Sequence, residues 1–305
     1  MQHNIQSISV FSGIPALNAS ELKKLQIPIP PLSIQAEIVR ILDTFTELTT
    51  ELTTELTARQ KQYNYYRDQL LRFEDPVIPR EVAESNRPCD FAQGDTRQVE
   101  WKALGEVVLS TSNIRWRDTD RAYRYIDLTS VSRENNTILE TSEITAKNAP
   151  SRAQKLVEKN DVIFATTRPT QLRLCLIDEA YSGEVASTGY CVLRAKSDEI
   201  LPKWIYYHLS SSKFGNYLEE NQSGSAYPAI SDSKVKEFKL PIPYPNDPEK
   251  SFTEQARIVA ILDKFDALTT SLTEGLPREI ELRQKQYEYY RDLLLNFPKP
   301  EEQAE

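Results

Sequence analysis

The amino-acid sequence predicts an α+β protein: one mixed α/β domain flanked by two long helices that pair as an antiparallel coiled coil. Three observations carry this expectation. A stretch near the N-terminus recurs near the C-terminus, its apolar residues fall at helical spacing, and the segment between the copies reads as short β-type runs.

IPIPPLSIQAEIVRILDTFTELTTELT at 27–53 is matched by LPIPYPNDPEKSFTEQARIVAILDKFDALTTSLT at 240–273, and RQKQYNYYRDQLLRF at 59–73 by RQKQYEYYRDLLLNF at 283–297. Gln35, Ile38, Val39, Ile41, Leu42, Asp43 and Phe45 return as Gln255, Ile258, Val259, Ile261, Leu262, Asp263 and Phe265. A separation far beyond solenoid periods makes this a duplicated half and not an array. Upstream, Pro15-Ala16-Leu17 mirrors Pro228-Ala229-Ile230, so residues 1–32 read as the C-terminal tail of a further domain whose front is missing.

The first copy is expected as a helix over 33–74. Pro30-Pro31 hold the chain extended ahead of it, and Ser33 is placed to cap it. Ile34, Ile38, Leu42, Phe45, Leu48, Leu52 and Leu56 form one stripe along a rod of ~60 Å. Within it TELT occurs in tandem at 46–49, 50–53 and 54–57. Thr is a poor helix former, and Glu47, Glu51 and Glu55 are like charges at i,i+4, so packing of the leucines has to offset both. A polar, Pro-containing linker at 75–98 follows. The domain is expected at 99–250, with strand-like YRYIDLTSV, DVIFATT, LRLCLIDEAY and ASTGYCVLRA and a helical KWIYYHLSSSKFGNYLEEN. The second long helix is expected at 251–298, capped by Thr253 and broken and restarted at Gly275 and Pro277, with a short tail at 299–305. Pairing is assigned to Phe45, Leu48, Leu52 and Leu56 against Phe265, Leu268 and Leu272.

Composition narrows the function. The net charge is −8, yet between residues 99 and 245 there are 19 Lys+Arg and 19 Asp+Glu, so the acidic excess lies outside the domain. A local basic face, not a basic average, is what phosphate binding needs. No apolar run reaches membrane length, there is no signal-peptide pattern, and Cys89, Cys175 and Cys191 form no CxxC pair; a cytoplasmic setting is expected. No HExxH, P-loop, GxGxxG or GxSxG motif is present, and His208, in an apolar helix, reads as a packed core residue. The chain is therefore expected to be non-catalytic, with no metal site.

Four polar loops offer side chains suited to base edges and phosphates. They are SNIRWRDTDR with Arg115, Arg117 and Arg121; TAKNAPSRAQK with Lys147 and Arg152; TTRPTQLR with Thr167, Arg168, Thr170, Gln171 and Arg173; and NQSGSAYP with Ser225 and Tyr227. Arg reads guanine and Gln reads adenine, while Ser, Thr and Lys hold the backbone. Each cluster alone is a weak signal and reads more readily as a solvated surface loop. TTRPTQLR is the strongest, because Pro169 stiffens it and it joins two strand-like runs.

The duplicated stretches, together with VEWKALGEV, KNDVIFATTRPTQLRLCLID, SGEVASTGYCVLRA, KLPIP and EGLPREIELRQKQYEYYRDLLLNF, resemble the specificity subunits of Type I restriction–modification systems, most nearly the Type IC branch. The resemblance implies that 99–250 is a target-recognition domain and that the TELT array sets the spacer of a split DNA site. It implies double-stranded DNA, modification (methyltransferase) subunits, restriction subunits and a second copy of the chain as partners. Tyr65, Tyr66, Arg67, Tyr289, Tyr290 and Arg291 become candidates for contact with another subunit. No cofactor is expected on this chain; S-adenosylmethionine belongs on the modification subunit, and ATP and Mg on the restriction subunit. The alternative is a coiled-coil scaffold or decoy that occupies the modification subunit without reading DNA.

Overall fold

The computed structural model describes residues 20, 23, 24, 27–73, 98–271 and 274–298. The predicted linker and most of the N-terminal tail lie outside them. The chain divides into two compact units, Met1–Thr53 with Ile280–Glu305 and Thr54–Glu279.

The first long helix, α1, spans Leu32–Leu70. The backbone N–H groups of Ile34 and Gln35 both donate to Pro31 O, so Ser33 lies inside the first turn and is not the cap the sequence suggested. The threonine hydroxyls of this stretch bond back onto the helix. Thr44, Thr46, Thr49, Thr50 and Thr53 donate to the carbonyls of Arg40, Leu42, Phe45, Thr46 and Thr49. Each bond keeps a side chain that would compete with the helix occupied within it. In the first unit Ile38 is buried, and the Phe45 ring stacks on Tyr290.

In the second unit three sheets build the domain. Strand β1 (Val99–Ala103) pairs antiparallel with β10 (Lys239–Pro243). A four-stranded sheet runs β2 (Val108–Leu109), β9 (Tyr190–Ala195), β6 (Val162–Ala165), β7 (Leu174–Leu176). The other runs β4 (Ser142–Ile144), β3 (Tyr123–Ile126), β8 (Val185–Ser187), β5 (Ala153–Leu156), and only β3–β8 is parallel. Helices α2 (Pro202–Leu209), α3 (Ser212–Asn221) and α4 (Asp232–Glu237) complete it. Strands β1, β2, β4, β5 and β10 fall outside the predicted runs. Pro241 and Pro243 read against a strand, and a two-stranded pairing tolerates them.

Two predicted runs divide. ASTGYCVLRA becomes β8 and β9, split at Thr188-Gly189, where a Cβ on Gly189 would press to 3.1 Å from the Leu128 side chain. KWIYYHLSSSKFGNYLEEN becomes α2 and α3, because Ser211 accepts the Phe214 N–H and starts a new helix.

The second long stretch forms α5 (Pro248–Thr270) and α6 (Gly275–Leu294). Asp247 caps α5 by accepting the Lys250 N–H; Thr253 lies within the helix, its hydroxyl on Glu249 O. The break falls at the predicted glycine. Gly275 has φ +76, and a Cβ there would lie 2.7 Å from the carbonyl oxygens of Ala267 and Leu268. Leu272 lies outside the described residues. Leu268 is 38% exposed and Thr269 is buried in its place, which corrects the predicted stripe at that turn.

One core cluster unites the repeat with the domain. Tyr63, Leu71 and Phe73 pack with Ile258, Val259 and Leu262 and with the fully buried Trp204. Each such burial is worth about 1.5–3 kcal/mol. Tyr63 lies against Phe265, while Phe73 meets Trp204, whose helix opens where the Leu201 N–H donates to Gln255 Oε1. Tyr66 of α1 lies against the same Phe265 ring of α5, at a centroid distance of 6.0 Å.

Candidate nucleic-acid interface

The four polar loops, distant in sequence, meet around the Thr188-Gly189 turn. The 112–117 segment lies along β5: Ile114 N donates to Gln154 O, Leu156 N to Ser112 O, and the Trp116 indole to Ala153 O. The loop carrying Lys147 and Arg152 reaches the turn where Arg152 O accepts the Thr188 N–H at 2.8 Å. On the other side, Gly189 O accepts both the N–H and the hydroxyl of buried Thr166. The last two loops are strapped together. Arg168 N donates to Pro228 O at 2.7 Å, Ile230 N to Thr166 O at 2.9 Å, and Thr167 bridges Ala229.

TTRPTQLR is the β6–β7 connection, and it is held rigid. Thr166 and Pro169 are buried, a 3-10 turn spans Pro169–Gln171, and Arg168 and Leu172 flank it at φ 50 and φ 48. Non-glycine residues in this region store strain that only surrounding contacts maintain. Arg168 and Thr170 project to solvent; Thr167 and Gln171 are half-buried. Across the strap, Ser225 and Tyr227 are exposed.

Lys147, Arg152 and Arg168 are exposed and form no ion pair among the described residues. Arg115 and Arg117 are also exposed, with Asp118 at 4.0 and 3.8 Å. Two candidates are placed elsewhere. Arg121 lies over the Tyr123 ring at 3.7 Å and donates to Gly183 O, near Glu184, at the opposite end of β8 from the loop meeting. Arg173 turns inward and donates to Leu128 O, which makes it a brace of the loop. The sequence reading missed Thr188 and Gly189, the pivot of the arrangement; the one available signal was the glycine interrupting a strand-like run.

Among the candidate subunit contacts, Arg67 is buried, bonded to Asn64 and Asp68 and set near the Tyr63 ring, so it serves the core. Its duplicate Arg291 is half-buried and bonds Asp292. Tyr65 and Tyr289 are 57% and 65% exposed, and each sets its ring edge-on to its neighbour, Tyr66 or Tyr290, at 5.4 Å.

The reactive side chains are buried. Burial pushes the thiols of Cys175 and Cys191 up to about 12, and burial holds His208 neutral, its imidazole lowered to about 3. Cys89 lies outside the described residues. Among the described residues no cluster of His, Cys, Asp and Glu could hold a metal, and no helix is long and apolar enough to cross a membrane.

Residues 1–61 and 97–282 match the family model described as Type I restriction modification DNA specificity domain. The chain is 39% identical over 298 residues to the EcoR124I/EcoR124II specificity subunit of Escherichia coli, which covers 92% of this chain and 64% of that protein. A putative type I specificity subunit of Mycoplasma pneumoniae is 30% identical over 90% of this chain and 94% of its own length. The chain thus spans under two thirds of the Escherichia coli relative and nearly all of the Mycoplasma one. A solved chain, from work on complex assembly and conformational transition of the type I R-M system, aligns with TM-score 0.50 and 29% identity, covering 68% of this chain and 51% of that one. With an α+β domain between duplicated helices and a family match across most of its length, the chain belongs to the Type I restriction–modification DNA specificity subunits.

Proposed function

We propose that this chain reads one half of a bipartite DNA site and delivers modification and restriction subunits to it. The observation that supports the reading is the linking of four polar loops through backbone bonds around Thr188-Gly189, loops that carry the exposed Arg115, Arg117, Lys147, Arg152 and Arg168. Arg168, with Thr170 and Gln171 beside it, is the base reader, because its loop is braced by Thr166, Pro169 and Arg173. Lys147 and Arg152 hold phosphates. The paired helices hold the domain, with exposed Tyr65 and Tyr289 toward partner subunits. S-adenosylmethionine, ATP and Mg act on those subunits.

Methylation sequencing tests this in cells carrying the chain with its modification partner. The expected result is a split motif that vanishes without the chain; identical methylomes in both cells overturn it. A salt-titrated gel shift of the reconstituted complex separates a reader from a decoy, which would show no sequence preference at any ionic strength.

A further inference from the structure

We propose that Tyr227 is a wedge whose ring enters the duplex at a base-pair step beside the base edge met by Arg168, unstacking that step. The proposal rests on the DNA-reading function above and adds how the recognised site is deformed.

Among the described residues of the domain, Tyr227 is the most exposed large apolar side chain, at 75%. At that exposure the ring itself buries little surface against the rest of the domain. The tip that carries it is closed at its base: Ser223 N donates to Ala229 O at 2.8 Å, and Ala229 N returns to Ser223 O at 2.9 Å. Gly224 sits at φ +91, and a Cβ there would lie 2.8 Å from Tyr227 O, so the loop folds back on itself more tightly than a side chain at 224 allows. Pro228 confines the Tyr227 backbone to extended geometry. The stem is strapped to the reading loop through the Arg168 N–H on Pro228 O and the Thr167–Ala229 bridge.

That rigidity is what a wedge needs. Unstacking a base step costs free energy, and a floppy tip would yield instead of pushing; ring–base stacking recovers part of the cost. The same strap ties the backbone of Arg168 to that of Pro228, the residue after Tyr227, so the reading loop and the tip move as one piece. The neighbours Ser225 and Ala226 are small and leave the ring room to enter.

The test uses the full chain assembled with its modification subunits, on the duplex that methylation sequencing identifies, with 2-aminopurine placed at successive positions. With the native chain and with Tyr227→Phe, fluorescence should rise at one step on binding. Tyr227→Ala should lose that rise and bind about ten- to a hundred-fold more weakly. A mismatch built into the same step should restore most of its binding, because the unstacking cost is already met. No rise at any position on a duplex bound with sequence preference overturns the wedge while leaving DNA reading intact. So does a Tyr227→Ala chain that recovers less modification subunit without DNA, which would make the ring a protein contact. Absence of any sequence preference with the native chain sinks both readings, and the gel shift reports that outcome before the fluorescence.

Discussion

The Phe45 ring stacks on Tyr290 at a centroid distance of 5.3 Å and an interplanar angle of 21°. The duplicate positions make the same contact in the other unit: Phe265 stacks on Tyr66 at 6.0 Å and 20°. Each copy's phenylalanine takes the other copy's tyrosine, as an antiparallel pair of repeated helices requires. Aromatic pairs add about 0.5–1.5 kcal/mol beyond burial. A double-mutant cycle of Phe45→Leu with Tyr290→Leu should return a coupling in that range, and so should Phe265→Leu with Tyr66→Leu. Couplings indistinguishable from zero would show the stacks to be incidental.

Arg168→Ala should remove sequence preference while subunit assembly survives. Lys147→Ala and Arg152→Ala should instead weaken binding about equally on all sequences, each lowering the slope of log K against log salt by about 1. Gel shifts across a salt series separate the two behaviours. Arg173→Ala should mimic Arg168→Ala without itself touching DNA, because its guanidinium holds the loop on Leu128 O.

Deleting one tetrad, residues 50–53, should change the preferred spacer and leave the half-site sequence alone. The deletion shortens α1 by ~6 Å, against about 3.4 Å per base pair along a duplex, so the expected change is one or two base pairs. The Thr hydroxyl ladder should re-form across the junction, because each bond spans the same four residues as the repeat. Methylation sequencing gives the spacer directly; an unchanged spacer would end the ruler role of α1.

His208 makes stability depend on pH. Its imidazole is buried and lowered from 6.5 to about 3, so the folded state carries it neutral while the unfolded chain protonates it below about 6.5. The folded form is therefore fully favoured above pH 6.5 and loses stability as pH falls toward 3. At pH 5 the loss against pH 7 should be about 2 kcal/mol from this group. Urea titrations at the two pH values check it, and His208→Gln should flatten the difference.

Gly275→Ala should destabilise the helix break by about 1–3 kcal/mol, since φ +76 and two carbonyl oxygens at 2.7 Å leave no room for a methyl group. Thermal unfolding of the two chains measures it.

Much of the architecture was legible in order of residues alone. The duplication, the helical stripe, the break at Gly275 and the family resemblance all follow from local periodicity, local backbone demands and identity at a distance. Helix starts were less legible, since Ser33 and Thr253 have capping chemistry but the backbone bonds begin earlier, at Pro31 and Asp247. Arg67 and Arg291 are identical in sequence context, yet Arg67 is buried and Arg291 half-buried, because only packing distinguishes two copies of one motif.

What the amino-acid order determined by itself was the parts: two matching rods, a strand-rich domain between them, and four loops able to meet a polar polymer. Only the tertiary structure decided which loops act together. Arg115 and Arg121 lie in one short segment but end at opposite ends of β8, while Arg152, Thr166 and Pro228, far apart along the chain, gather at Thr188-Gly189. The reason is that loop positions are fixed by hydrogen bonds to remote strands, and those partners exist only once the sheets have packed.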